Sequence, residues 1–397
     1  MKVLLFSGMK PSQNEKFGGV FVSKRYHILK KYIDIDLYKI GNKYSLIYKH
    51  IYKYLKKKNI KDDSCIVIEG TRWRNVNIKI SLIMKMIEKY ISSFYYSINL
   101  KKIYNHINIK KYNLIHAHWV YPTGYIAMLL SKKYNIPYII TAHGSDIHTI
   151  PKNNAKIAKY TLEILENASK VIFVSDSLKR DALNLGYSGK NAEVIYNGVD
   201  INNFKELNKE KVKLELGFGC TVIGYIGRLE PIKGADRLPR IFNEINKLKE
   251  DIEFLIIGDG SLKENIIKEL DELKIKYRYC KSMEHKKLNK YMNSCDAIVV
   301  PSRNESFCCV ALEAQACGTK VVASNVGGIS EAIGKFGFLV DSGENFERRF
   351  AETVNYCLNE NINIYDMKKR THEFSWERTV KEELNIYEEV LNLGSGK

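Results

Sequence analysis

The 397-residue chain has no apolar run near the ~18–20 residues that a membrane-spanning helix needs, so no segment is expected to cross a bilayer. Its eight cysteines never adopt C-x-x-C spacing, and several fall within apolar runs. That argues against a cysteine-built metal centre or a disulfide framework, and for reduced core thiols in a cytosolic protein. The first residues run straight into Val3-Leu4-Leu5-Phe6, without an apolar h-region or a small-residue cleavage site, so a secretory signal is not expected. No G-x-G-x-x-G follows a strand, which leaves a dinucleotide little support. Zinc-finger, helix-turn-helix and RNA-binding aromatic patterns are also missing, which disfavours a nucleic-acid partner. No internal repeat is present.

What remains is a globular mixture, 45% hydrophobic and 27% charged, too long for one ordinary core. Short β-rich runs alternate with amphipathic helical patterns. Strands are expected at 2–7, 34–39, 65–69, 113–116, 137–141, 170–174 and 192–195, then at 221–226, 252–257, 276–280, 296–300, 319–323 and 337–340. Such alternation implies parallel sheets with crossover helices, hence two doubly wound α/β domains. The turn-rich Tyr196-Asn197-Gly198-Val199-Asp200 marks a change of composition and serves as linker, dividing 1–198 from 199–374. Ser375-Trp376-Glu377 opens a last helix, 375–393, with a serine cap and an apolar stripe.

Charge follows the same division. Residues 1–200 hold 33 Lys+Arg against 14 Asp+Glu, a net +19; residues 201–397 hold 30 against 31, a net −1. The excess therefore belongs to the N-terminal domain and its partners.

Candidate chemistry sits where strands end. Glu305-Ser306-Phe307-Cys308-Cys309 follows the strand Ala297-Ile298-Val299-Val300 and opens a helix that carries Glu313. Carboxyl ends of parallel strands are where open sheets bind ligands, and a helix N-terminus there suits a phosphate. Glu305 and Glu313 stand eight positions apart, about 12 Å at helical rise. That span suits a molecule with hydroxyls at both ends and a diphosphate between. Arg228 and Lys233 share the loop after Ile223-Gly224-Tyr225-Ile226-Gly227, where two cations can neutralise a leaving diphosphate. Gly18-Gly19 follows the first strand and lets backbone approach a ligand, though a flexible turn explains it almost as well. Thr141-Ala142-His143-Gly144-Ser145-Asp146 puts an imidazole at a strand end. His116 and His118 form either a metal pair lacking a third ligand or packing behind the site, and packing is favoured. Asp34-Ile35-Asp36 has the text of a metal-binding Asp-x-Asp but reads as strand entry.

Taken together, these motifs resemble the GT4-type retaining glycosyltransferases (glycosyl transferases group 1) of the GT-B fold. Glu305-Ser306-Phe307, Val310-Ala311-Leu312-Glu313-Ala314 and Ala316-Cys317-Gly318-Thr319 match that family's E-x7-E region almost position by position. The other motifs fall in the family's order. The resemblance implies two Rossmann-like domains facing across a cleft, and a nucleotide-diphosphate-sugar donor such as a UDP-sugar. It implies transfer of a hexosyl or N-acetylhexosaminyl group with retention and without metal or other cofactor. Arg228 and Lys233 would hold the diphosphate, Glu313 the ribose and Glu305 the transferred sugar, with His143 beside that sugar. Gly18, Gly19, Ser306, Phe307, Cys308 and Cys309 would line the donor. The cysteine pair departs from the family's usual Gly then aliphatic residue. The base-binding segment near Tyr279-Cys280-Lys281-Ser282 matches nothing specific, so the nucleotide is left open.

The acceptor is expected at the cytoplasmic face of a membrane, as a lipid-linked glycan or glycolipid in polysaccharide or glycoconjugate synthesis. Residues 43–58 suggest a basic amphipathic helix, with Lys49, Lys53, Lys56 and Lys57 beside an apolar face, and 77–104 suggest another. The protein would then be peripheral at the inner face of the cell membrane. A soluble acceptor, as in sucrose- or trehalose-forming enzymes, is the alternative; a basic nucleic-acid-binding protein is the more distant one.

Overall fold

A computed structural model describes residues 1–8, 19–44, 65–68, 71–80 and 107–394, with side chains described over 1–8, 19–40 and 107–392. The chain divides into two compact units. Unit 1 comprises Met1–Phe173, Lys179–Ile195 and Val380–Lys397; unit 2 comprises Val174–Leu178 and Tyr196–Thr379. Asn197-Gly198-Val199-Asp200, read from sequence as linker, therefore belongs to unit 2. There the Val199 N–H donates to Phe374 O at 2.7 Å. A Cβ on Gly198 would stand 2.6 Å from the Trp376 backbone, so only glycine lets these segments touch.

Unit 1 is an eight-stranded sheet in the order β3-β4-β2-β1-β5-β6-β7-β8. Its strands are β1 (Lys2–Ser7), β2 (Asp34–Tyr44), β3 (Cys65–Ile68), β4 (Thr71–Ile80), β5 (Leu114–His118), β6 (Tyr138–Ala142), β7 (Lys170–Phe173) and β8 (Ala192–Val194). All neighbours run parallel except β3 against β4. The sequence reading missed β4 and ended β2 early. Residues 43–44 and 77–80 are strand, which corrects the expected starts of both amphipathic helices. Their remaining residues, including Lys49, Lys53, Lys56 and Lys57, lie outside the described residues.

The core of unit 1 gathers Val3, Leu5, Val22, Leu37, Leu114, Ile139 and Ile172 with Val380, Ile386, Tyr387 and Val390 of the final helix Trp376–Gly394. The Ser375 hydroxyl caps that helix, accepting from the Arg378 N–H at 3.3 Å. This is the cap expected from sequence, and it satisfies one of the helix's free donors.

Unit 2 is a six-stranded parallel sheet in the order β11-β10-β9-β12-β13-β14. The strands are β9 (Thr221–Ile226), β10 (Ile252–Ile257), β11 (Tyr277–Cys280), β12 (Ala297–Val300), β13 (Lys320–Ser324) and β14 (Phe338–Val340). Counted from β9 the order is 3-2-1-4-5-6, the doubly wound arrangement that binds ligands where strand order reverses. Fully buried β12 reads as a continuous apolar run, and β10 as one broken only by Glu253, as expected of strands covered on both faces. Phe242 and Phe254 stack at 4.0 Å in the core.

Candidate functional site

Strand order reverses in unit 2 between β9 and β12, which are hydrogen-bonded neighbours with Ala297 opposite Ile223. The loops after these strands carry Arg228, Lys233 and Glu305. Gly234 presses the first of these loops onto the second, and Gly327, on the loop after β13, packs against the second from the other side. Gly234 has φ +63°, and a Cβ there would fall 1.9 Å from Pro301 O; Gly327 has φ +55°, and its Cβ would fall 1.8 Å from Glu305 O. No other residue type fits either place. The Lys233 ammonium consequently meets Glu305 Oε1 at 2.6 Å, and the Ser302 hydroxyl donates to the same oxygen at 3.1 Å. Burial alone would lower the Lys233 pKa, but the Glu305 carboxylate outweighs it and the ammonium is held above its ordinary value. The cation expected at the diphosphate and the carboxylate expected at the sugar are therefore one ion pair. Arg228 stands on the same loop, its carbonyl accepting from the Tyr225 hydroxyl at 2.7 Å.

The helix begins at Cys309, so Glu305 lies in the loop ahead of it, and a helical rise over all eight residues does not apply. Glu313 is on the helix Cys309–Ala316, with Oε1 3.7 Å from His285 Nδ1. His285, which sequence reasoning passed over, packs edge-on against Phe204 at the start of the helix His285–Ser294. Ser306 follows Glu305 in the loop. Phe307 is 1% exposed and stacks on Tyr196 at 5.4 Å, so its ring serves the core and only its backbone is left for a ligand. Cys308 caps the helix in a left-handed conformation, φ +73°, with its thiol buried; Cys309 is half-buried. Burial pushes the Cys308 thiol well above its ordinary pKa, so it is not a nucleophile at neutral pH.

Unit 1 has its own reversal, between β1 and β5. Gly19 follows β1 with φ +74° and starts the helix Val20–Leu29; Gly18 lies outside the described residues. His118 ends β5 and His143 follows β6. The half-buried His143 ring is bounded by Phe21 at 4.4 Å and Trp119 at 4.7 Å. Asp146, which the sequence reading left without a role, orders both loops. Its carboxylate accepts from the Val120 N–H at 2.9 Å, the Gly144 N–H at 2.7 Å and the His143 N–H at 3.1 Å. Burial raises the Asp146 pKa even against these three donors.

Behind these rings lies a network that sequence spacing does not reveal. His116 and His118 share one face of β5, two residues apart, with ring centroids at 4.6 Å. The Tyr387 hydroxyl of the final helix donates to Glu383 Oε1 at 2.7 Å and lies 2.6 Å from His116 Nδ1. With its single proton spent on Glu383, the tyrosine leaves His116 Nδ1 as the donor, and Thr141 Oγ1 donates to His116 Nε2 at 2.8 Å. Arg25 completes the group, its guanidinium 3.2 Å from Glu383 Oε2 with both side chains fully buried. Burial would raise the Glu383 carboxyl, but Arg25, His116 and Tyr387 together hold it at about 2. The third potential metal ligand missing from the sequence is thus Glu383, within 4.8 Å of His116 and His118. Yet its oxygens are taken by Arg25 and Tyr387, and a guanidinium occupies the place of a cation. The cluster is a structural ion-pair network. Asp34 and Asp36 are likewise engaged, at the amino end of β2: Asp34 with Lys2, Asp36 with Tyr112 at 2.7 Å and Lys111 at 3.2 Å.

Two family profiles match the chain: "Glycosyltransferase Family 4" over residues 71–203 and "Glycosyl transferases group 1" over residues 208–374. An uncharacterized glycosyltransferase of Methanocaldococcus jannaschii is 32% identical over 74% of this chain and 81% of its own length. A putative teichuronic acid biosynthesis glycosyltransferase of Bacillus subtilis is 28% identical over 70% of this chain and 66% of its own. A D-inositol 3-phosphate glycosyltransferase of Segniliparus rotundus is 27% identical over 72% and 68%. Among solved structures, sucrose-phosphate synthase of Thermosynechococcus elongatus superposes with a TM-score of 0.76 at 17% identity, covering 99% of this chain and all of that one. HepE of Anabaena in complex with UDP superposes with a TM-score of 0.71 at 18% identity, covering 98% of this chain and 100% of that one. Two doubly wound units, one of them with cations and carboxylates on its switch-point loops, together with these matches define a sugar-transferring enzyme of the GT-B fold. The chain belongs to the GT4-type group 1 glycosyltransferases.

Proposed function

We propose that the enzyme transfers a sugar with retention from a nucleotide-diphosphate-sugar, without a metal, to an anionic acceptor, with a lipid-linked glycan or glycolipid as first choice. The observation that carries the donor half is the Lys233–Glu305 pair, at 2.6 Å across the two switch-point loops. A diphosphate arriving beside it competes with Glu305 for the ammonium, and Arg228 adds a second cation on the same loop. Those two charges supply what a metal provides elsewhere: a counter-charge for the departing diphosphate. The one Asp-x-Asp text is already engaged with Lys2, Lys111 and Tyr112, which favours the metal-free reading. A UDP-sugar donor agrees with the UDP held by HepE.

The acceptor half rests on the net +19 of residues 1–200 against −1 in the remainder. A charge confined to one half favours an anionic partner of that half. An anionic membrane presenting a lipid-linked acceptor at its cytoplasmic face fits, and the Bacillus subtilis relative is named for teichuronic acid biosynthesis. Among the described residues no helix is long and apolar enough to cross a membrane, and the reading is of peripheral attachment through charge. A small phosphorylated acceptor is the second reading, favoured by the names of the inositol phosphate and sucrose-phosphate enzymes. A hydrolysis screen over UDP-, GDP- and ADP-sugars without acceptor tests the donor. Hydrolysis of none, with no nucleotide bound, would end the reading. Sedimentation with anionic and neutral vesicles tests the acceptor: binding to anionic vesicles alone is the expected result, and indifference to both transfers the choice to the phosphorylated small molecule.

A further inference from the structure

The buried histidines behind His143 carry information about its protons. His118 Nδ1 lies 2.9 Å from His143 Nε2, with the ring planes 25° apart. One proton occupies that contact, and the geometry alone allows either ring to supply it. The far side of His118 decides. Its Nε2 is fully buried and, among the described residues, has no hydrogen-bond partner. If His143 were the donor, neutral His118 would carry its proton on this enclosed nitrogen and bury an N–H with no acceptor. Buried donors without acceptors are rarer than under-used acceptors, and each costs about 1–3 kcal/mol. With His118 as donor, only a lone pair goes unused.

We propose that His118 is a positioning residue that donates its Nδ1 proton to His143 Nε2 and thereby holds His143 as the Nδ1–H tautomer, so that the substrate meets a hydrogen-bond donor on that ring. Burial first, and then the neighbouring His116 and Arg25, push both imidazoles well below their ordinary pKa. Both rings are therefore neutral at physiological pH, and a tautomer is well defined. Phe21 and Trp119 flank the His143 ring, and Asp146 holds its backbone, which favours the ring orientation that puts Nε2 against His118. A donor at Nδ1 suits a sugar hydroxyl or the oxygen bridging sugar and phosphate, both of which accept.

The inference rests on the reading of His143 as the residue beside the transferred sugar, and its test separates the two. Nitrogen-15 spectra of histidine-labelled wild type are expected to give His143 a protonated Nδ1 and an unprotonated Nε2. In His118→Phe, which keeps the ring's bulk but has no donor, the signal is expected to move towards the Nε2–H form. His118→Asn, whose amide can reach the position of Nδ1, is expected to restore it. Turnover should follow: kcat down roughly 10–100-fold in the Phe variant with donor KM nearly unchanged, and largely recovered in the Asn variant, the usual scale for a partner that orients a functional histidine. A wild-type His143 carrying its proton on Nε2 overturns the proposal, whether or not any variant folds. A correct tautomer with full activity in His143→Ala would instead remove the role of His143 and leave the tautomer assignment standing.

Discussion

The two units solve opposite electrostatic problems with similar parts. In unit 2 the Lys233–Glu305 pair sits at the end of loops, with side chains 26% and 10% exposed; in unit 1 the Arg25–Glu383 pair is fully enclosed. In the proposed function the first is there to be disturbed, a diphosphate taking over the ammonium and a sugar the carboxylate. The second is closed off by Tyr387, His116 and Thr141, and a substrate has no part in it. Proximity of opposite charges therefore does not identify a catalytic group in this enzyme. Access is what separates the two: the same type of contact is open at a loop end, where the proposed function uses it, and enclosed as scaffold behind the strands.

The sharpest way to break that contrast is to remove one charge from the enclosed pair. Glu383→Gln keeps the shape but withdraws the carboxylate that faces Arg25. Truncating one partner of a buried pair typically costs ~3–5 kcal/mol, and urea unfolding should show a loss of that order. The sign with pH is fixed. Glu383 is held at about 2 against an ordinary 4.5, so its stabilising contribution is fully present above about pH 4.5 and is lost as pH falls through about 2. The gap between wild type and variant should be flat at higher pH and close on acidification across that window. A gap that persists unchanged at pH 2 would mean the carboxylate is not the source of the stability.

The exposed pair should answer in rate. Lys233→Ala and Arg228→Ala are each expected to lower kcat ~10²–10³-fold, the usual loss for one preorganised electrostatic contact, with a smaller change in donor affinity. Unchanged kcat in both would remove them from the leaving group. Their unfolding midpoints should shift far less than that of Glu383→Gln, and an equal shift would erase the distinction between the units.

A finer division concerns the two glutamates. Glu305→Gln should impair transfer while free UDP binds nearly as before, whereas Glu313→Ala should weaken UDP by roughly tenfold, about the worth of one charge-assisted hydrogen bond. The reverse pattern in calorimetric titrations would turn the donor end for end.

How much of this could be read beforehand follows the range of the interactions. Strand ends and loop motifs are local, so Arg228, Lys233, Glu305 and Glu313 were visible as motif members. Even the Lys233–Glu305 contact follows once β9 and β12 are taken as neighbours at the switch point. The Arg25–Glu383–His116 network was not visible, because its members come from three distant stretches and each alone is an ordinary residue. Phe307 shows a different limit: its place in the motif gives no sign that its ring is packed against Tyr196, leaving its backbone alone for a donor. Strand β4 has a signal, the alternation Asn75-Val76-Asn77-Ile78-Lys79-Ile80, but the apolar pattern that follows suggests a helix beginning at 77 and masks it.

The smallest effect tests the one place where the donor loop departs from its family. Cys308 occupies a left-handed position with φ +73° at the cap of the helix Cys309–Ala316. A side chain there costs ~1–2 kcal/mol that glycine avoids. Its thiol is buried, however, and the packing it contributes offsets part of that strain. Cys308→Gly should therefore change stability by less than about 1 kcal/mol in either direction. Cys308→Val adds a β-branched chain to the same backbone and should cost ~1–3 kcal/mol. The informative comparison is between these changes and nucleotide affinity. If the thiol narrows the approach of a phosphate to the helix N-terminus, the glycine variant should bind UDP a few-fold more tightly while its stability barely moves, and the valine variant should bind more weakly. Equal UDP affinity in all three proteins would show that the thiol lies out of the phosphate's path, and that the cysteine stands here for packing alone.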